Sequence, residues 1–299
     1  MRVRAPCSSA NLGPGYDLLG IALNAFQDIV EVELVSGEGE ARVVEVTGPY
    51  SNSVPLGRSN SAAEAAIATL RFAEQRLDAK IRIWKGVPPG RGLGSSGVSA
   101  AAAAKAVNEM LGGVLTEEEL VKAASEGERM SSGYPHSDNV APSLLGGLVI
   151  LSSRITVFKP DLNFVLVIPW IEVPESKTKF MREVLPNQVP FEQFLKHCSH
   201  LTHLLLGLAK GDAKLLGEGM NYSLIDEVRS RFIPGFSELK SEALKRGALG
   251  VSISGAGPSI LILCEECEEL REAMRGKCRE LGIPASVLRV STADGASII

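Results

Sequence analysis

Pro88, Pro89, Gly90, Arg91, Gly92, Leu93, Gly94, Ser95, Ser96, Gly97 and Val98 follow one another and open into a run of alanines, 100–104. Gly92, Gly94 and Gly97 fall within six residues. This composition reads as a loop whose bare backbone N–H groups wrap an anion at the N-terminus of a helix. The anion is most simply a phosphate. A Cβ at these positions would hold the ligand away from the amides, and the wrap needs positive φ at some of them. Ser95 and Ser96 place hydroxyls in the first turn, within reach of a phosphate or a bound magnesium ion. No Gly-Lys-Ser/Thr triplet closes the loop, so it is not a Walker A sequence. It does fit G-x-G-x-x-G literally, but Gly86-Val87-Pro88-Pro89 separate it from the preceding strand. The acids some twenty residues on, Glu117 to Glu119, open a helix instead of ending a second strand. The competing explanation is a glycine-rich turn that packs a helix on a sheet.

Two other stretches carry groups that could do chemistry. Asn11 and Asp17 stand between glycines and beside Leu12, Leu18 and Leu19, which reads as polar side chains held on a pocket wall. The alternative is that both satisfy turn backbone. Residues 126–142 hold Glu126, Glu128, Arg129, His136, Asp138 and Asn139 just before the apolar stretch 144–151, a density that resembles a catalytic loop. Taken singly, His136 or Asp138 would serve as a loop cap. Cys264-Glu265-Glu266-Cys267 has the spacing of a redox or zinc pair, but no second pair follows and an apolar strand ends there. Five cysteines in so long a chain are not a disulfide framework. His197, Cys198, His200 and His203 share a helix, and their three-residue steps read as a polar face, not a metal site.

The elements that must position these groups alternate. A strand at 2–5 precedes the Asn11 turn, and residues 29–35 and 42–46 read as a hairpin with a solvated tip at 36–41. Ser59 or Asn60 can cap a helix reaching about Leu77, with Ala62, Ala63, Ala66, Ile67 and Leu70 as its buried stripe. A strand at 80–85, the glycine loop and its helix follow, and Thr116 with Glu119 forms a capping box for a helix to about Met130. The organisation changes at 152–161, which divides the chain into 1–155 and 156–299. Beyond it, strands at 164–169, 249–254, 259–264 and 285–290 alternate with helices at 176–185, 191–208, 212–222, 234–246 and 265–281. That succession is the ferredoxin-like order with added helix. The fold class is therefore α/β (α+β) in two domains.

The composition, 45% hydrophobic and 22% charged with net charge −4, is that of a soluble globular protein, and 299 residues bury substantial cores. The acidic balance, a pI near 5.7 and the lack of a basic block argue against nucleic acid or an anionic membrane as partner. The N-terminal residues form no apolar signal core and no apolar run could span a bilayer, so a cytoplasmic location is expected.

Taken together, 11–20, 88–98 and 254–259 resemble, in order and over nearly the whole chain, the three motifs of the GHMP kinases, the galacto-, homoserine, mevalonate and phosphomevalonate kinases. Asn11 to Asp17 together with His136 to Pro142 is most similar to the homoserine kinase branch, and the length fits as well. The resemblance implies an N-terminal α/β nucleotide domain, a ferredoxin-like C-terminal domain, and substrate in the cleft between. It implies magnesium-dependent transfer of the γ-phosphoryl of ATP to the side-chain hydroxyl of L-homoserine. By the same resemblance the residues 88–98 cradle the phosphates, Ser96 and Glu128 hold Mg²⁺, and Asn60 and Lys85 lie near the adenine and ribose. Asn11, Asp17, His136, Asp138 and Asn139 would line the substrate pocket with Thr178, Arg182 and Arg229. Asn11, Asp17, Glu128, Asn139 and Thr178 would serve the chemical step, with Asp17 orienting substrate instead of acting as an obligatory base. Arg91, where many relatives have a small residue, and Gly97, where alanine is usual, depart from the pattern at the loop. A homodimer is left open. Arginines suit a carboxylate and an aspartate suits an ammonium, as a zwitterionic substrate demands. The same chemistry on mevalonate or shikimate, a non-catalytic ligand-binding relative and a nicotinamide oxidoreductase are the competing functions.

Overall fold

The structure is a computed structural model and describes residues 1–132, 136–174 and 176–299. Strand β1 (Arg2–Asn11) runs antiparallel to β2 (Gly15–Ser36), a 22-residue strand long enough to serve two sets of neighbours. The chain continues through β3 (Ala41–Thr47), α1 (Ser61–Phe72), β4 (Leu77–Trp84), α2 (Ser95–Met110), α3 (Glu117–Ser132) and α4 (Ser137–Leu145) to the hairpin β5 (Leu148–Leu151) and β6 (Ile155–Phe158). The second half of β2 pairs with β4 and its first half with β5.

Residues 29–35 and 42–46 do not form the expected hairpin, because β4 lies between β2 and β3, antiparallel to the first and parallel to the second. The reason is burial. Ala79, Ile81 and Ile83 on one face of β4 are fully covered, so β4 takes a central place, and α1 supplies the crossover that a parallel β3–β4 pair needs. α1 also stops at Phe72, short of Leu77. Glu74 turns the chain with φ 54°, and Leu77 already pairs with Ser36 in the sheet. Residues 137–142, read as part of a loop, form the first turns of α4, whose Val140, Ala141 and Leu144 face a buried cluster with Ala100, Ala104 and Leu120.

The second sheet comprises β7 (Asn163–Pro169), then, after α5 (Lys177–Glu183), α6 (Phe191–Lys210), α7 (Ala213–Met220), α8 (Leu224–Arg229) and α9 (Phe236–Lys245), the hairpin β8 (Gly250–Ile253) and β9 (Ile260–Leu263). Helix α10 (Cys267–Glu280) leads to β10 (Ala285–Ser291), and β11 (Ser297–Ile298) returns to pair with β1. The strand order β10-β7-β9-β8, antiparallel throughout, is the ferredoxin-like arrangement. β6 belongs to the larger sheet, so the expected division at 155/156 falls inside the β5–β6 hairpin.

β7 is buried on both faces, which accounts for its continuous apolar run. Val165 and Val167 face α9 and α10 through Leu239, Leu270 and Met274. Phe164, Leu166 and Ile168 on its other face join the core that holds Val3, Ile21 and Ile81 of the first sheet. One apolar core therefore underlies both halves. Cys264 and Cys267, expected outside any disulfide framework, are joined by a disulfide that links the end of β9 to the start of α10. No helix among the described residues is long and apolar enough to cross a membrane.

Candidate active site

The glycine loop leaves β4 through a buried ionic knot. Asp28 on β2 accepts from the Gly86 and Val87 amides at 3.0 Å each with one oxygen, and from Lys85 Nζ at 2.5 Å and Ser99 Oγ at 2.6 Å with the other. Lys85 Nζ also donates to Ser99 Oγ at 2.9 Å and to the Ser95 carbonyl, so its three protons are all engaged. Lys85, expected beside the adenine and ribose, borders the cavity from within this knot, where it fastens the two ends of the loop to each other.

The loop's glycines are required by contact. Gly92 has φ 75°, and a Cβ there would lie 2.2 Å from the Ser254 carbonyl oxygen; Gly94 has φ 66°, and its Cβ would meet Ser8 Oγ at 2.4 Å. The alanines of α2 are fully buried, and their small side chains let the helix sit flush on β1 and β2 behind the loop. The first turn of α2 thereby points its N–H groups into a cavity of about 460 Å³. Pro89, Gly90, Gly92, Leu93, Gly94, Ser95 and Ser96 border that cavity, while Pro88, Gly97 and Val98 are buried behind it. Arg91 turns away. Its guanidinium donates to the Pro169 and Ile171 carbonyls at 2.9 and 2.7 Å and lies over the Trp170 ring, anchoring the loop to the second sheet.

The three motifs hold one another. Asn11, with φ 76°, accepts from the Asp17 amide at 3.3 Å and donates to the Gly255 carbonyl at 3.1 Å. Ser254 Oγ reaches the Gly92 carbonyl at 2.7 Å, and the Gly255 amide donates to Ala10. Asn139 accepts from Ser8 Oγ at 3.2 Å. Asn60 caps α1, accepting from the Ala62 amide at 2.9 Å and donating to Pro55 at 2.7 Å, at the end of the cavity formed by residues 53–55. Asn60→Ala is expected to lower stability by about 1 kcal/mol, readable as a lower thermal midpoint.

Opposite the loop, the cavity carries charge of both signs. Arg182 on α5 reaches both oxygens of Asp17, at 2.7 and 2.9 Å, and His136 Nδ1 lies 3.3 Å from the same guanidinium nitrogen. Arg229, at the end of α8, is buried; it donates to the Met181 and Gly255 carbonyls at 3.0 and 3.1 Å, and its guanidinium lies 5.0 Å from the centre of the Tyr16 ring. The Arg182 guanidinium is 5.3 Å from the same ring centre. Asp138, buried at the start of α4, has its pKa pushed up to about 7, chiefly by burial and then by the carboxylates of Asp17 and Glu128. Burial and the Arg182 charge push the His136 pKa down, which favours its neutral form. Asn11, Asp17, Glu128, His136, Asp138, Asn139, Thr178, Arg182 and Arg229 all border the same cavity as the loop.

The models of two family domains match this chain, the GHMP kinases N terminal domain over residues 59–147 and the GHMP kinases C terminal domain over 204–280. A homoserine kinase of Aeropyrum pernix is 42% identical, with 100% of this chain and 98% of the relative covered. The chain belongs to the GHMP kinases, in their homoserine kinase branch. Another member of that branch, a homoserine kinase of Thermoplasma acidophilum, is 39% identical over 98% of this chain and 95% of its own. The crystal structure of homoserine kinase from Cytophaga hutchinsonii superposes with a TM-score of 0.90 at 32% identity, covering 100% of this chain and 97% of that one. GHMP kinases transfer phosphoryl groups to small molecules, so this chain is a phosphotransferase and a nucleoside triphosphate is its donor.

Some residues at the site carried no sequence signal. Lys177 opens α5 one position before Thr178 and borders the cavity, although a lysine starting a helix is ordinarily a solvated charge. Asp28 sits in the long strand β2 with nothing local to mark it. The histidine face of α6 holds no metal cluster among the described residues. His197 Nδ1 accepts from the Leu224 amide at 3.3 Å, and His200 lies 2.9 Å from the Glu218 carbonyl.

Proposed function

We propose that this chain transfers the γ-phosphoryl of ATP to the side-chain hydroxyl of L-homoserine, giving O-phospho-L-homoserine and ADP in threonine biosynthesis. One observation carries the substrate choice. Beside a phosphate-binding loop, a single cavity presents two arginines, Arg182 and Arg229, and two aspartates, Asp17 and Asp138. Cations for a carboxylate and anions for an ammonium are what a zwitterionic amino acid requires, and mevalonate or shikimate has no ammonium to meet the aspartates.

Phosphoryl transfer needs positioning and charge neutralisation more than covalent chemistry. The residues 88–98 would hold the phosphates, through the exposed amides of the loop and the first turn of α2. Asn60 and the segment at 53–55 would bound the nucleoside. Arg182 and Arg229 would take the homoserine carboxylate, Asp17 and Asp138 its ammonium, and Asn139 and Thr178 its hydroxyl end. His136, neutral, would pack against the Arg182 guanidinium and keep its direction. Asp17 is held by Arg182 through both oxygens, which supports an orienting role over that of a base.

A magnesium ion fits the donors present. The Ser96 hydroxyl and the Glu128 carboxylate both border the loop's cavity, and Glu128 adds negative potential felt at Asp138. One or two protein oxygens with substrate phosphates and waters is the usual magnesium environment, so a cluster of three carboxylates is not needed. When bound there, magnesium would neutralise charge on the transferring phosphoryl group.

Asp138 sets a pH dependence. Only its ionised form attracts an ammonium, and with a pKa near 7 it loses that charge as pH falls. The KM for homoserine should rise up to about tenfold per pH unit below 7 and level off above 8. In Asp138→Asn this pH limb should vanish, with KM high throughout.

The experiment that tests the function is ADP release with Mg·ATP on L-homoserine, mevalonate, shikimate and galactose. Turnover on homoserine alone, lowered in Ser96→Ala and Glu128→Ala, is expected. Turnover on mevalonate or shikimate in place of homoserine refutes the substrate assignment, and nucleotide binding without turnover on any of them refutes the activity.

A further inference from the structure

Lys177 is buried, and its side chain runs inward from the first position of α5. Nζ donates to the Gly90 carbonyl at 2.9 Å and to the Gly257 carbonyl, joining the glycine loop to the turn between β8 and β9. The charged groups that face it are Arg91 from the loop and Arg229 from α8, both cations. Among the described residues no carboxylate forms an ion pair with it. Two carbonyls take two of its three N–H donors but leave its charge without a counter-ion, an arrangement that disfavours a buried ammonium. What the position lacks is an anion. The cavity that Lys177 borders is the one into which the loop's amides point.

We propose that Lys177 binds the polyphosphate of the nucleotide, its ammonium bridging the glycine loop and the bound phosphoryl groups. This rests on the reading of the cavity as an ATP site. Gly90 and Gly257 hold Nζ at the cavity wall before nucleotide arrives, so no long side chain has to be recruited from solvent. Burial and the two arginines push the Lys177 pKa down to about 7, so near neutrality a fraction of the free enzyme carries the uncharged amine. A polyphosphate beside it favours the charged form. Nucleotide binding should therefore take up a proton at Lys177 just above pH 7.

Isothermal titration of the full chain with Mg²⁺ and a non-hydrolysable ATP analogue, at pH 7.5 in two buffers of different ionisation enthalpy, reads affinity and proton uptake together. The unmodified protein is expected to take up a fraction of a proton. Lys177→Met should bind the analogue roughly 10- to 100-fold more weakly and with less uptake. Lys177→Arg, which retains a charge that does not titrate, should hold affinity within a few fold and show the same reduced uptake. Thermal midpoints of both variants show that the fold is intact, and the arginine variant decides the matter if the methionine variant does not fold. Affinity within twofold of the parent in folded Lys177→Met overturns the proposal, as does uptake that is undiminished in Lys177→Arg, since Asp138 on the same cavity can supply a remainder. Homoserine is absent from this titration. A protein that shows Lys177-dependent uptake and yet fails to phosphorylate homoserine refutes the substrate reading and leaves this one standing.

Discussion

Asp28→Asn is expected to lower stability by about 3–5 kcal/mol, the loss that follows when one partner of a buried ion pair is removed. Asp28 and Lys85 are 0% and 3% exposed, so no water replaces the missing charge. The substitution is close in shape, and its remaining carbonyl can still accept from the Gly86 and Val87 amides. Its new NH₂ group, however, would face the Lys85 ammonium and the Ser99 hydroxyl, where the carboxylate now accepts from both. Lys85→Met should be similarly costly, because it leaves the carboxylate uncompensated. The double variant should lose well under the sum of the two, since neither charge is then left alone. Urea denaturation of the four proteins closes this cycle. A loss below about 1 kcal/mol in Asp28→Asn would mean the knot is more solvated than its burial indicates. Nucleotide affinity should fall with stability, because the knot fastens the strand end at Lys85 to the helix start at Ser95 and Ser99.

That knot also marks where reading the chain in one dimension stops. The glycine loop, the Asn11 turn and the 254–259 turn announce themselves through residues that lie side by side, and the structure brings all three to one cavity. The ferredoxin-like order was equally legible, because each strand is a short apolar run bounded by its own turn signals. Lys85 is placed near the adenine and ribose by the resemblance alone, and nothing local marks its pairing with Asp28, 57 residues away on another strand. The expected hairpin between 29–35 and 42–46 failed for the same reason: nothing local indicates that β4, arriving later in the chain, will separate them. Residues 137–142 looked like loop because polar residues crowd there, yet Val140, Ala141 and Leu144 had the helical spacing that packs α4 on α2. Arg91 stood out as an anomaly in a phosphate loop, and only the fold shows it directed at β7's end and Trp170 and away from the cavity. Pairings across elements are set by the whole core, whereas turns and caps are set by neighbours.

Arg182→Met should raise the KM for homoserine by roughly 100-fold while the KM for ATP stays within a few fold and stability changes by less than about 1 kcal/mol. The contrast between these effects follows from exposure. Arg182 and Asp17 are 37% and 35% exposed, so water screens their ion pair and the fold draws little from it. Arg229 is different: it is buried on the Met181 and Gly255 carbonyls, and removing it should disturb the packing of α5 on α8 as well as the site. In the free protein Arg182 and Asp17 neutralise each other across the cavity. A zwitterionic substrate exchanges that one pair for two, its carboxylate on the guanidinium and its ammonium on the aspartate, at little net change in buried charge. Asp17→Asn should therefore also raise the KM for homoserine, with kcat reduced far less. The combined variant should bind substrate better than the product of the two single losses predicts, because neither single variant leaves its partner neutralised and the combination removes both charges. If Asp17→Asn instead abolished kcat with substrate affinity intact, Asp17 would be the base and not the orienting group.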